Sequence, residues 1–367
     1  MNGKTGWYLL ALCAAACGST ARAADGVVTQ CDEAGFQAVL GSVDGSGGGR
    51  ITFSCGTATI AFTGYKTIAH AVVVDGGGTI TFDGGGTSPF FQVFASANAT
   101  LRGLTLRRGK QGDVHALENF GTLRLDRVRM QDNVSGGAAV ANDGLLLVQS
   151  STFSGNRNTA DDGGAIANLN GTLVVRASTF TGNQAARHGG AIYSSSTTTV
   201  LNSTFTTNSA VGGAAFYQEG SGASRVDQVT AVGNSATFGG GVYNEGSASA
   251  TLTVGRSILA DNSGGNCDGV LISAGYNLWS GATQCPFSQP GDGAGNPSLG
   301  ALANNGGPTQ TLLPGGGSAA IDRIPAAQCP IRVDQRGGGR PAGAGCDSGA
   351  VEVGAAFDVI FQDGFDL

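Results

Sequence analysis

The chain has 367 residues, of which 64 are glycine and only 13% are charged. No Gly-X-Y period runs through it, which excludes collagen, and 41% apolar residues are too many for a disordered chain. Its formal charge of −6 argues against nucleic acid and anionic polysaccharide as default partners, because an acidic surface repels both.

The first 23 residues read as an export signal. Lys4 supplies the positive start, Trp7 to Ala16 the apolar stretch, and Ala21-Arg22-Ala23 a small-x-small cleavage site before Ala24. Cleavage removes two of the 20 basic residues and none of the 26 acidic ones, for a net charge of −8. Nothing after the signal is apolar enough to cross a bilayer as a helix. Export makes disulfides the natural reading of the six remaining cysteines. They fall in three sequential groups, so the expected pairs are Cys31–Cys55, Cys267–Cys285 and Cys329–Cys346.

Residues 24–70 form an N-terminal cap. After Cys31, Phe36, Val39 and Leu40 share one helical face, with Asp32 as its N-cap. Such a helix can cover an open end of a solenoid, where unpaired strand edges would otherwise meet water.

Residues 71–262 carry a repeat. Its asparagines, Asn133, Asn156, Asn183, Asn208, Asn234 and Asn262, are separated by 23, 27, 25, 26 and 28 residues. Each is followed by a double-glycine segment such as "GGAIA" (from Gly163) or "GGAIY" (from Gly189), and preceded by a strand-like run such as "GTLVVRAS". A period near 26 with short strands between Gly and Asn turns describes one coil of a β-solenoid, and stacking turns each repeat position into a column. Met130, Phe153, Phe180, Phe205, Ala231 and Leu259 are then an inward apolar column. The asparagines form an amide ladder and supply a residue tolerant of left-handed corners. The fourth position of the glycine motif (Ala139, Ile166, Ile192, Ala215, Val242) faces inward and the fifth outward.

These residues resemble a known pattern. "FSGN…GGAI", "FTGN…GGAIY" and "FTTN…GGAAF" are similar to the FxxN and GGA(I/V) repeats of the polymorphic outer membrane protein family, and "NPSLGALANNGGPTQTLLPGGGSAAID" looks like a choice-of-anchor C-terminal region. The resemblance implies a right-handed parallel β-helix and display at the cell surface or secretion by a Gram-negative-type bacterium; it implies no chemistry. The expected fold is thus all-β, a right-handed parallel β-helix of about eight coils at that period. Residues 263–353 form a disulfide-stapled C-terminal cap and 354–367 a tail, and a monomer is expected.

Two function classes compete. The enzyme reading rests on Asp161, Asp162 and His188, which lie about one coil apart and combine paired carboxylates with an imidazole, as in polysaccharide hydrolases and lyases. Equivalent links in other coils hold no carboxylate, so a solvated loop is the alternative. The binding reading rests on the fifth-position residues Tyr193, Phe216 and Tyr243, an aromatic row able to meet sugar rings or a partner protein. No cofactor is implied; Ca²⁺ at the Asp161–Asp162 loop is the one metal that the residue types would suit. The reading favoured on sequence is a non-enzymatic surface protein for adhesion or recognition of a polysaccharide or a surface protein.

Overall fold

The computed structural model describes residues 23–110, 112, 115–246, 250–281 and 285–356. Apart from Ala23, the export signal lies outside these residues, as does the tail from Phe357. Among them no helix is long and apolar enough to cross a membrane.

Each coil has three short strands. In one representative coil, Thr172–Arg176 lies on a first face, Thr179–Thr181 on a second and Ile192–Ser194 on a third. Parallel pairing joins each strand to its counterpart one coil on, as in Leu173↔Thr198, Phe180↔Phe205 and Ile192↔Phe216. The third face is a nine-stranded sheet; the first and second faces are continuous around their shared corner. The corner between them is a single residue with positive φ, held by Arg127, Ser150, Ala177, Asn202, Gln228 and Arg256 in successive coils.

Like residues stack, as expected from the repeat. Phe153, Phe180 and Phe205 lie parallel with ring centroids 4.8 and 4.7 Å apart, fully inside the lumen. The asparagine ladder is continuous: Nδ2 donates to Oδ1 of the next coil from Asn133 through Asn262 at 2.7–2.9 Å. Its asparagines are not the left-handed residues, however. That conformation belongs to the residue before each of them, Asp132, Gly155, Gly182, Thr207, Gly233 and Asp261. The amide can therefore point inward while its neighbour makes the bend.

A second ladder, absent from the sequence reading, borders the third face. Asn119, Asn142 and Asn168 pass a hydrogen bond from coil to coil at 2.7 Å, and Asn168 donates onward to Ser194. Both ladders satisfy buried polar groups at bends where backbone partners run out.

Helix α1 (Glu33–Gly45) is capped by Asp32, whose carboxylate accepts the Gly35 N–H at 2.8 Å. Its Phe36 plugs the first coil, packing against Phe53, Phe62, Phe82 and Phe91. At the other end Trp279, Cys285 and Phe287 join the same core. All three disulfides pair as expected.

The C-terminal segment differs from the expectation of an end cap. Cys285 and Phe287 do pack onto the core at that end, but the segment after Ala294 runs back along the second face. Thr179 donates to Gln310 O (2.6 Å), Asn202 to Val333 O (2.8 Å) and Thr204 to Gln335 Oε1 (2.7 Å), while Ala350 N–H donates to Thr230 Oγ1 (3.0 Å). A column of outward threonines on the second face thus becomes a docking rail for the chain's own C-terminal region.

Candidate functional site

The outer column of the third face runs Gln92, Glu118, Ala141, Ala167, Tyr193, Tyr217, Tyr243, Asp268. This register corrects the aromatic row. Phe216 pairs with Ile192 and Val242, faces the lumen and is 2% exposed; Tyr217 takes the outward place. The cause is a slip in the glycine motif. Gly213, not Gly212, has the left-handed φ shared by Gly189 and Gly239, so "GGAAF" is read one residue early. In a strand a one-residue slip exchanges the two faces. The same correction places Val140 inward and Ala141 outward.

The three tyrosines stack on one another, Tyr193–Tyr217 at 5.9 Å and Tyr217–Tyr243 at 4.8 Å. Tyr193 and Tyr217 are 7% and 3% exposed, so the row offers edges and hydroxyls rather than open ring faces. Tyr243 remains half-buried. The Tyr193 hydroxyl donates to the Glu219 carboxylate. Burial, reinforced by Glu219, holds the Tyr193 phenol well above its ordinary pKa; burial first, then Glu245, does the same for Tyr217.

Asp161, Asp162 and His188 do converge beside this row. Asp162 and His188 precede the left-handed glycines Gly163 and Gly189 of adjacent coils and so occupy one column; Gly212, bridged to His188, and Phe238, bridged to Gly212, continue it. Asn158 folds the acidic loop, accepting Asp161 N–H at 2.8 Å and donating to Asp162 O at 2.8 Å. Asp162 Oδ1 accepts the His188 backbone N–H at 2.9 Å and lies 3.0 Å from Nδ1 of that ring, without hydrogen-bond alignment. The imidazole lies on Tyr217 at 4.4 Å. Arg187, which sequence reading did not single out, reaches Asp161 at 3.1 Å and Asp162 at 3.5 Å.

This geometry shapes the chemistry. Both carboxylates face one guanidinium, so neither is left alone as a free general base. Burial raises the Asp162 pKa, with the His188 N–H, Arg187 and His188 opposing it. Asp161 stays 64% exposed on the rim. Among the described residues no three His, Cys, Asp or Glu side chains converge as a metal site would need. Nor does either of two concavities, a groove of about 590 Å³ over the corner between the first and second faces and a trough of about 430 Å³ beside Gln184, include Asp161, Asp162 or His188. His115 flanks the same face two coils before the acidic loop; its ring covers Gly137, and burial lowers its pKa.

The profile described as right handed beta helix region matches residues 51–236 and 90–289. The chain belongs to the right-handed β-helix family. No curated protein matches the sequence. Among solved structures this β-helix is similar to a mutant of the PL6 family alginate lyase AlyGC, at 11% identity and a TM-score of 0.28, over 80% of this chain and 56% of that one. The β-helix chain thus spans little more than half of that enzyme's length.

Proposed function

We propose that this β-helix is an exported, non-enzymatic recognition protein of the cell surface or extracellular space, and that its third face binds a neutral polysaccharide. The observation that carries the reading is the outward column of Tyr193, Tyr217 and Tyr243, in register over three coils and bordered by Glu219, Glu245 and Asp268. Aromatic edges and hydroxyls can pack against the C–H surface of sugars, while carboxylates accept hydrogen bonds from sugar hydroxyls. An acidic rim disfavours a polyanion on this face. Strand-like repetition at about 4.8 Å suits a repeating polymer lying along the axis. The surface-display reading of the FxxN repeats and the choice-of-anchor-like C-terminal region is part of the same proposal.

The test is retention of the mature protein on insoluble cellulose, chitin and β-glucan. Retention weakened by Tyr217→Ala and Tyr243→Ala supports the reading. Equal retention of wild type and variants, or none, removes it.

A second reading, polysaccharide cleavage, is favoured by one observation: the Asp162 carboxylate lies against His188 Nδ1, leaving Nε2 as the nitrogen able to act. New reducing ends that vanish in His188→Ala would establish it over binding alone.

A further inference from the structure

One groove lies over the corner between the first and second faces, away from the third face and its tyrosine row. Its floor is three successive corners, Gly103, Arg127 and Ser150. One wall is a bulge: four residues, Gly76 to Thr79, stand between Asp75 and Ile80 where the next coil has Gly103 alone. Pro308, from the docked C-terminal segment, forms part of the opposite boundary.

Four arginines, Arg50, Arg102, Arg127 and Arg129, line this groove with a single carboxylate, Asp75. Arg50 pairs with Asp75 at 2.5 Å, and Arg102 with Asp126 at 2.9 Å, which also lies 3.7 Å from Arg127. The groove thus gathers four guanidiniums on a chain with 26 acidic and 20 basic residues. Arg129 is exposed and joins no ion pair among the described residues. It interrupts a run of threonines, with Thr105 one coil before it and Thr152, Thr179, Thr204, Thr230 in the coils after it. The last three are buried under the C-terminal segment, so the groove is the part of the rail left open. Stacking favours like residues in a column, and among the described residues no ion pair accounts for an arginine here.

We propose that this groove binds the acidic groups, carboxylate or sulfate, of an anionic polysaccharide. Guanidinium planes pair with such oxyanions through two parallel hydrogen bonds, and partner carboxylates on Arg50 and Arg102 hold the side chains in place for that contact. The Thr105 and Thr152 hydroxyls add neutral donors beside Arg129. Nucleic acid is the weaker candidate, because the groove is lined by no aromatic side chain on which a base could stack. The site uses none of the third-face residues and stands or falls apart from them.

The experiment measures binding of the mature protein to polygalacturonate, to heparin, to neutral dextran and to a single-stranded oligonucleotide, at about 0.05 M salt and again above about 0.3 M, where screening is strong. The wild type is expected to bind polygalacturonate or heparin at low salt and to release it at high salt; the arm that binds more tightly identifies carboxylate or sulfate. Arg129→Gln should weaken binding roughly tenfold and Arg50→Gln/Arg129→Gln further, with unchanged melting, while Tyr217→Ala leaves it intact. No polyanion binding by wild type, binding untouched by the double variant, or tighter binding of the oligonucleotide than of either polysaccharide would overturn the proposal.

Discussion

The imidazole of His188 lies almost flat on the ring of Tyr217, centroids 4.4 Å apart and planes 17° from parallel. The contact spans the column that separates the acidic loop from the tyrosine row, and it exists because Gly212 has no side chain. A Cβ there would stand 2.3 Å from the Phe238 ring and 3.1 Å from His188 Cδ2. Gly212→Ala should therefore lower stability by about 1–3 kcal/mol through overpacking. Thermal melting checks this, and the double variant Gly212→Ala/Phe238→Leu should recover part of the loss.

The asparagine ladder predicts a larger effect. Asn183 accepts from the Asn156 amide, donates to Asn208 and to Phe153 O, and is fully buried. Asn183→Ala leaves several of these groups unpaired at once, each worth about 1–3 kcal/mol. Denaturant titration should show a loss at least as great as the roughly 3–5 kcal/mol expected of Phe180→Ala in the adjoining aromatic column.

Asp161 and Arg187 make the opposite case. Both side chains are more than half exposed at their 3.1 Å contact, so Asp161→Asn should change stability by less than about 1 kcal/mol. A larger loss on melting would mean that the acidic loop is a structural clasp rather than a rim.

How much of this was legible from residue patterns follows from the spacing of the columns. The phenylalanine and asparagine columns could be read because the run "STF-x-x-N" keeps constant length, so like residues align. The third face could not be read to the residue, because the link between each asparagine and its glycines changes length from coil to coil. Two copies were therefore misaligned by one, and Phe216 exchanged places with Tyr217. Arg187 shares the one-coil spacing of His188, but an arginine on a polar link reads as a solvated side chain until the folded loop turns it onto both carboxylates. The C-terminal docking had no signal, since Gly- and Pro-rich loops carry no period. The arginine groove was invisible for a related reason: its charges lie between residues 50 and 129 and meet only across stacked corners.

The docked segment has its own pH dependence. Asp347 accepts the backbone N–H groups of Asp322 and Val353, yet burial raises its pKa to about 6. A carboxyl raised on folding contributes stability below its unfolded pKa, near 3.9, and loses that contribution as pH rises through about 6. Asp347→Asn should match the wild type in melting temperature at about pH 4 and exceed it at pH 7. A variant less stable than wild type at pH 7 would show that the ionised carboxylate is needed there.

Gln335 is the hub of the same docking. Its amide nitrogen donates to Thr179 Oγ1 (2.9 Å) and Thr309 Oγ1 (3.0 Å), and its oxygen accepts from Thr204 Oγ1. Gln335→Ala should loosen the segment without unwinding the coils, so limited proteolysis should cut within 296–353 sooner while the solenoid core persists.

The most direct test of third-face recognition is hydrogen–deuterium exchange of the mature protein with and without a soluble oligosaccharide of the glycan that retains it. Slowed exchange is expected to centre on residues 192–194, 216–218 and 242–244, the strands bearing Tyr193, Tyr217 and Tyr243. Protection confined to other strands, or no protection despite measured binding, would contradict it.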